Sequence, residues 1–321
     1  MPSPCPRPLL IGLLLVSTAP LAAVTGSWTS LGPEGGAVWA LASPASNPQV
    51  VYAGVFGGAY KSVDGGATWS WAGRGLNVQS VVTTLVIDPL HPSTLYAGQN
   101  PGLFKSVDGG STWRQTGLPP YLAVSKIAID SRSPQILFAA TNGGLYQSSN
   151  GGGNWKRLSR GLVSPPYISV AVVIDPSSPR RMFATLQPKT PEAPSLFKSL
   201  DGGYSWQPVQ SDLLKDEFVG LLPINPQFPK TLYVATTHGI LRSTNDGRTW
   251  TRGNFPDFAS VSGLDFHPTQ KNILYAGGGG GVFRSVDGGA TWTSLSQDLP
   301  PGVFITSILV SATKTPALIV G

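Results

Sequence analysis

The sequence has few of the residues from which catalytic and metal-binding sites are usually built. Charged residues make up 12% of its 321 residues, and it contains three histidines, three glutamates and one cysteine. His91, His238 and His267 are widely spaced along the chain, so no zinc site is expected. Cys5 precedes the first apolar segment, which leaves the rest of the chain without a disulfide or a thiol nucleophile. We predict neither a metal nor a cofactor.

Clusters of one charge and long apolar runs are also missing. The formal net charge is +6, but the lysines and arginines are scattered along the chain, which argues against nucleic-acid binding. The N-terminal apolar run from Leu9 to Val16 is too short to span a bilayer. Arg7 precedes this run and small residues follow it, namely Ser17, Thr18, Ala19, Ala22 and Ala23. That order is typical of a secretory signal.

We therefore expect residues 1–25 to be a signal peptide and residues 26–321 to form a single domain. The alternative for the first residues is a buried N-terminal strand. Export combined with the lack of further cysteines is typical of a bacterial periplasmic or secreted protein. We expect such a protein to be monomeric and, after cleavage of the signal, not to span the membrane.

The most informative feature that the sequence does contain is a repeat. A phrase of the form Ser-x-Asp/Asn-x-Gly-x-Ser/Thr/Asn-Trp occurs six times, with its tryptophan at Trp69, Trp113, Trp155, Trp206, Trp250 and Trp292. The intervals between these tryptophans are 44, 42, 51, 44 and 42 residues. A period of roughly 40 to 50 residues indicates propeller blades or solenoid repeats.

Each repeat predicts four short strands. In the second repeat these are Val81 to Ile87, Leu95 to Gly98, Leu103 to Ser106 and Thr112 to Gln115, separated by turn residues. Four such strands make one antiparallel blade. No segment has a convincing helical period, so we expect an all-β chain with almost no helix.

The conserved positions of the phrase have a structural explanation. The acid accepts hydrogen bonds from backbone amides in a tight turn, and the glycines adopt positive φ angles. Asparagine replaces the acid in two copies, which favours hydrogen bonding over charge as its role. The predicted structural residues are Asp64 with Trp69, Asp108 with Trp113, Asn150 with Trp155, Asp201 with Trp206, Asn245 with Trp250, and Asp287 with Trp292.

This phrase resembles the Asp-box, or BNR repeat, from about Trp28 to the end of the chain. The resemblance implies a β-propeller similar to those of sialidases, sortilin-type receptors, xyloglucan-cleaving glycosidases and photosystem II assembly factors. In those families the box forms the hairpin between the third and fourth strands, away from the usual ligand face. Six copies are therefore informative about the fold and much less so about the function.

The two ends of the chain resemble parts of one further blade. Gly26 to Leu31 is similar to Thr291 to Leu295, an outer strand, while Phe304 to Val310 and Pro316 to Val320 read as a first and a second strand. We predict a seven-bladed propeller of four-stranded blades, rather than a six-bladed one, with its last blade closed by both termini. One strand of that blade is unaccounted for, so we expect either a three-stranded last blade or a truncated sequence.

No pair of acids suggests a glycosidase. The glutamates are Glu34, Glu192 and Glu217, and the phrase that places the first arginine of a sialidase is missing. Asp88, Asp130 and Asp175 occupy equivalent turns, where a turn-forming role accounts for them. We therefore expect a non-enzymatic binding or scaffold protein that recognises a protein or glycan, with a sialidase-like or xyloglucanase-like hydrolase as the alternative.

Binding residues are expected on the loops opposite the boxes, because these differ between repeats. The clearest difference is the proline-rich insertion from Leu186 to Pro194, which lengthens one interval. The candidate binding residues are Arg74, Tyr121, Lys126, Tyr167, Lys189, Lys215, His238 and Phe258.

Overall fold

The structure, a computed structural model, describes residues 13–16, 28–33, 37–162, 168–187, 193–215, 219–220, 223–236, 238–256, 260–300, 302–312 and 317–321. Within these residues the regular elements are 27 strands and one short 3-10 helix. The first two strands are β1, Leu13–Val16, and β2, Trp28–Ser30. The expectation of an all-β chain with almost no helix is confirmed.

Three antiparallel four-stranded blades follow. Blade 1 comprises β3 Ala40–Ala42, β4 Val51–Val55, β5 Gly58–Ser62 and β6 Ser70–Trp71. Blade 2 comprises β7 Val82–Ile87, β8 Leu95–Gln99, β9 Leu103–Ser106 and β10 Arg114–Gln115. Blade 3 comprises β11 Val124–Ile129, β12 Leu137–Thr141, β13 Gly144–Ser148 and β14 Lys156–Leu158.

The next three blades repeat the design with one variation. Blade 4 comprises β15 Ile168–Ile174, β16 Met182–Gln187, β17 Leu196–Ser199 and β18 Gln207–Pro208, and the 3-10 helix Asp212–Leu214 follows it. Blade 5 comprises β19 Leu232–Thr236, β20 Gly239–Ser243 and β21 Thr251–Arg252, with a single bridge from Ile224 to Leu232 on its inner side. Blade 6 comprises β22 Val261–Phe266, β23 Leu274–Gly278, β24 Gly281–Ser285 and β25 Thr293–Ser294.

The prediction of a seven-bladed propeller is wrong. Six blades are formed, each from consecutive strands with one box, because only six segments carry the complete repeat. The ends of the chain form a separate sheet in the order β2-β1-β27-β26, where β26 is Ile308–Val310 and β27 is Ala317–Val320. This terminal sheet lies between the inner strands of blade 6 and blade 1. Its strand β1 belongs to the segment that the sequence predicts to be a signal peptide.

The core lies between neighbouring blades. The second strand of each blade is almost entirely buried, as in β4, β8, β12 and β19. One apolar cluster joins Tyr52 of blade 1 to Val82 and Leu95 of blade 2, and another joins Val282 of blade 6 to Leu318 of the terminal sheet. Burial on both faces explains why these strands are continuous apolar runs in the sequence.

The repeated phrase, called the box below, forms a hydrogen-bonded hairpin between the third and fourth strands. In blade 1 the carboxylate of Asp64 accepts from Thr68 N at 2.9 Å and from Thr68 Oγ1 at 2.5 Å, while Ser62 Oγ accepts from Gly66 N at 2.8 Å. These bonds, the Thr68 side chain first, lower the pKa of Asp64 to about 2. The amide oxygens of Asn150 and Asn245 accept the equivalent backbone bonds at 2.8 and 2.9 Å.

Four of the box tryptophans are buried: Trp113, Trp206, Trp250 and Trp292. Trp113 Nε1 donates to the carbonyl oxygen of Ala72 in the preceding blade at 2.7 Å. Trp206 Nε1 instead donates to Gly203 O in its own box at 3.0 Å. Trp69 and Trp155 are half-buried.

Four of the innermost strands contain a bulge, and three of the bulge residues join neighbouring parts of the ring. The register shifts at Thr83, Ser125, Val170 and Ser262. Thr83 Oγ1 donates to Val124 O of the next blade at 2.5 Å, and Ser125 Oγ donates to Ser169 O at 2.8 Å. Ser262 Oγ similarly bonds Ile305 O of the terminal sheet. Val170 has no hydroxyl to make such a bond.

Candidate functional site

The two faces of the propeller are formed by different sets of loops. In a four-stranded antiparallel meander, the box hairpin and the turn after the first strand lie at one end, which we call the box face. The turn between the second and third strands and the connection to the next blade lie at the other end, which we call the mouth face. Loops on a rigid scaffold are where binding usually occurs, and the mouth-face loops are those that vary between blades.

Three large exposed aromatic side chains lie on the mouth face, in blade 1 and in the segment before the terminal sheet. Trp39 precedes the inner strand of blade 1 and is 46% exposed, and Phe56 lies in the mouth turn of the same blade and is 60% exposed. Phe304 precedes the terminal sheet, bridges Gly279 in the mouth turn of blade 6, and is 53% exposed. Thr306 Oγ1 donates to Val38 O at 2.6 Å, so the segment that carries Phe304 contacts the segment that carries Trp39.

The box face lacks a comparable grouping among the residues that the structure describes. Most of its exposed apolar side chains occur singly in separate boxes and turns, namely Val63, Leu90, Val107, Phe228 and Val286, and only Leu200 and Tyr204 share a box. Isolated exposed apolar residues are normal on protein surfaces. The mouth face is therefore the better candidate for binding.

The structure brings only some of the predicted binding residues toward the mouth. Tyr121 lies in the connection from blade 2 to blade 3 and is 73% exposed. Lys215 follows the 3-10 helix and pairs with Asp212 Oδ1 at 2.6 Å. His238 occupies the mouth turn of blade 5, where its carbonyl accepts from Arg252 Nη1.

Arg74 is located elsewhere. Its carbonyl accepts from the backbone N–H of Trp113 at 2.8 Å, which places it beside the box of the following blade. Tyr167, Lys189 and Phe258 lie outside the described residues.

Lys126 occupies a different setting from these loop residues, because it lies on the inner strand β11. Its side chain is inside the ring, where burial lowers its pKa and the charge of Asp265 acts in the opposite direction. Asp265 lies on the inner strand β22 and accepts from Val310 N at 2.7 Å and from Phe266 N at 2.8 Å. Burial raises the pKa of Asp265 to about 6, against the lowering effect of those bonds and of Lys126. In the sequence, nothing distinguishes Asp265 from the other acids outside the boxes.

The turn acids on the box face are engaged locally, as the sequence indicates. Asp88 Oδ1 accepts from Leu90 N at 2.9 Å, and Asp175 Oδ1 accepts from Ser177 N at 2.9 Å. Asn225 and His267 occupy the equivalent turns of blades 5 and 6 and also accept backbone hydrogen bonds. His267 Nδ1, for example, accepts from Gln270 N at 3.0 Å. These side chains therefore act as acceptors that hold their own turns.

Two surface cavities accompany the box face. One of about 780 Å³ lies between the outer strand of blade 2 and the box of blade 3, and one of about 520 Å³ lies between blades 4 and 5. The first contains Lys105, whose ammonium bonds Gly151 O at 3.0 Å. The second contains Arg181, whose guanidinium bonds Asp175, Asp246 and Pro229 O. Lys105 and Arg181 therefore already have protein partners.

The described part of the chain contains no group of three or more histidine, cysteine or acidic side chains that is suited to hold a metal ion. A search of the same residues for a helix long and apolar enough to cross a membrane also found none.

Comparison with known proteins identifies the fold and leaves the family open. No family model and no curated protein matches the chain. The GH74 enzyme of Niastella koreensis is similar over 81% of this chain and 45% of its own, with 22% identity and a TM-score of 0.63. YCF48 from Cyanidioschyzon merolae is similar over 92% of this chain and 98% of its own, with 18% identity and a TM-score of 0.69.

The chain is a β-propeller. Besides these structures, it is similar to the extracellular domain of BT4673 from B. thetaiotaomicron over 90% of this chain and 38% of that one, at 13% identity and a TM-score of 0.67. A further YCF48 structure contains a bound D1 peptide and has 18% identity and a TM-score of 0.63 over 88% of this chain and 92% of its own. The propeller thus spans about half the length of the GH74 enzymes that it matches. At these identities the likeness establishes the fold alone, which other propellers use both for hydrolysis and for binding.

Proposed function

We propose that this propeller is an exported, non-enzymatic binding protein that recognises a segment of another protein through its mouth face. The observation that carries the proposal is the set of aromatic residues Trp39, Phe56 and Phe304, whose rings are about half exposed or more. Aromatic residues are enriched where proteins bind one another, because they bury much apolar area at a small entropic cost.

The comparisons support this choice over hydrolysis. The YCF48 structures match this chain along almost all of their own length, whereas the Niastella GH74 enzyme is matched over 45% of its length. One YCF48 structure holds a peptide. Among the described carboxylates, those of the boxes and turns are engaged in local hydrogen bonds, as in Asp64 and Asp175.

Site-specific photo-crosslinking tests the proposal in the organism that makes the protein. A photoreactive phenylalanine analogue is placed at Trp39 or Tyr121 on the mouth face, and at Tyr204 on the box face as the matched control. Tyr204 is 70% exposed, so the control is as accessible as the test positions. We expect one crosslinked protein from both mouth positions and none from Tyr204.

Crosslinks that form equally at Tyr204, or at no position, would contradict the proposal. The same purified protein is incubated with xyloglucan and with sialosides. Turnover that is abolished by replacing a single carboxylate would replace the binding function with a hydrolase.

A further inference from the structure

The central channel contains an unusual pair of charges. Of all residues on the described inner strands β3, β7, β11, β15, β22 and β26, only Lys126 and Asp265 are charged. They come from blades 3 and 6, which are three blades apart around the ring in one direction. The inner strands of a propeller border its central channel, so both residues lie on the channel wall, and each charge acts on the pKa of the other.

The strand register gives their relative depth. The bulge residues Ser125 and Ser262 occupy equivalent positions near the mouth end of their strands. Lys126 follows its bulge by one residue and Asp265 follows its bulge by three. With a rise of about 3.3 Å per residue, the Asp265 backbone lies about 7 Å deeper in the channel than that of Lys126.

The two charges do not neutralise each other by contact. Within the described residues, the Lys126 ammonium forms no ion pair within 4.0 Å, and the hydrogen bonds that Asp265 accepts come from two uncharged backbone N–H groups. A partly desolvated charge is costly unless an opposite charge or hydrogen bonds compensate for it. A purely structural role, in which Asp265 joins blade 6 to the terminal sheet, accounts for the carboxylate but not for Lys126.

We propose that the mouth end of the channel binds a small zwitterion whose carboxylate pairs with Lys126 and whose ammonium pairs with Asp265. The separation in depth favours a ligand in which several bonds separate the two charges, such as an ω-amino acid or a short peptide. A ligand with one charge satisfies only one of the two groups and leaves the other unpaired. This site requires no protein partner and is therefore independent of the proposed function.

Isothermal titration calorimetry with ε-aminocaproate as the probe tests the site. Caproate and hexylamine are the matched controls, because each keeps the carbon chain and one of the two charges. We expect saturable binding of ε-aminocaproate and an affinity for either control that is at least about tenfold weaker, which corresponds to about 1.4 kcal/mol. Equal binding of caproate would reduce the site to an anion site and contradict the proposal, as would the absence of binding at about 10 mM probe.

Variants identify the residues that carry the binding. Lys126→Met keeps the length of the side chain, and Asp265→Asn keeps its shape, so each removes one charge with little change in volume. We expect each to weaken ε-aminocaproate binding at least about tenfold. Lys271→Met is the control, because Lys271 lies over the ring of Phe228 on the box face. Binding that is unchanged in Lys126→Met, or lowered equally in Lys271→Met, would overturn the assignment.

Loss of stability in a single variant does not prevent the test. The double variant Lys126→Met with Asp265→Asn leaves no charge on the described inner strands, and a channel without charges is not expected to be destabilised by desolvation. The double variant should be folded, as judged by its thermal transition, and should not bind the probe. Retained binding in the double variant would place the site elsewhere.

Discussion

The hydroxyl of Tyr52 in blade 1 donates a hydrogen bond of 3.0 Å to the carbonyl oxygen of Gly109 in the box of blade 2. The same bond recurs from Tyr96 to Gly151 at 3.1 Å and from Tyr233 to Gly288 at 2.8 Å. Burial is the main cause that raises the pKa of Tyr96 to about 12, so the hydroxyl remains a donor at any physiological pH. The second strand of one blade thus holds the box of the next.

Tyr96→Phe removes one of these bonds and leaves the Gly151 carbonyl without that donor. We expect the free energy of unfolding to fall by about 1 kcal/mol, measured by urea denaturation. Phe138 stands at the equivalent position in blade 3 and has no hydroxyl, so Phe138→Leu provides a control for a packing change without loss of this bond. A Tyr96→Phe protein as stable as the parent would show that the bond contributes nothing.

The boxes should tolerate an amide better than an apolar side chain. Asp287 Oδ1 accepts from Thr291 N at 2.9 Å and Oδ2 accepts from Thr291 Oγ1 at 2.6 Å. We expect Asp287→Ala to cost about 1–2 kcal/mol, because it leaves donors of the hairpin unsatisfied, and Asp287→Asn to cost less than half of that. Thermal denaturation of the two variants distinguishes them, and equal losses would mean that the charge matters more than the hydrogen bonds.

Asp265 should make stability decrease as the pH rises. Its pKa is raised from 3.8 to about 6, so the folded chain favours the protonated acid. The resulting stabilisation is complete below pH 3.8 and is lost as the pH rises through about 6. We expect Asp265→Asn to gain about 2 kcal/mol relative to the parent between about pH 4 and pH 7.5. Parallel pH profiles of unfolding would contradict this prediction.

His267 should have the opposite effect, two residues further along the chain. Burial is the main cause that lowers its pKa from 6.5, with a contribution from Arg284, so folding favours the neutral ring that accepts the turn bonds. Its stabilisation is present above pH 6.5 and is lost as the pH falls toward its lowered pKa. His267→Asn supplies the acceptor that Asn225 uses in blade 5. We expect this variant to lose less stability than the parent when chemical denaturation is repeated at about pH 5.

The sequence predicts the blades well because each repeat contains its own complete set of turns. The box acid, the glycines and the tryptophan of one repeat act mainly within about eight residues, as Asp64 and Thr68 illustrate. The number of blades was harder to predict, because the terminal strands pair across the whole length of the chain. Trp28 Nε1, for example, bonds Leu295 O at 3.0 Å.

The candidate sites were less accessible to sequence reasoning. Trp39, Phe56 and Phe304 occupy different positions in their repeats, so no pattern groups them. Asp265 is a candidate site residue because of its depth relative to the bulge and because of Lys126, which lies three blades away. Neither relationship is visible in the local sequence. A comparison of aligned inner strands would have isolated both Lys126 and Asp265 as the charged exceptions.

The valine at the bulge of blade 4, Val170, affects how that blade is held to its neighbour. Thr83 and Ser125 join their blades through uncharged hydroxyl bonds. Val170 has no hydroxyl, and the polar contacts of blade 4 with blade 5 include ion pairs of Arg181 and Lys198 with Asp246, beside a shared apolar cluster. Added electrolyte weakens these ion pairs less than fully exposed ones, because their side chains are only 13–20% exposed, but it leaves hydroxyl bonds largely unaffected. Concentrated salt should therefore weaken this junction before the others. We expect the ring to open first between blades 4 and 5, and proteolysis to begin there.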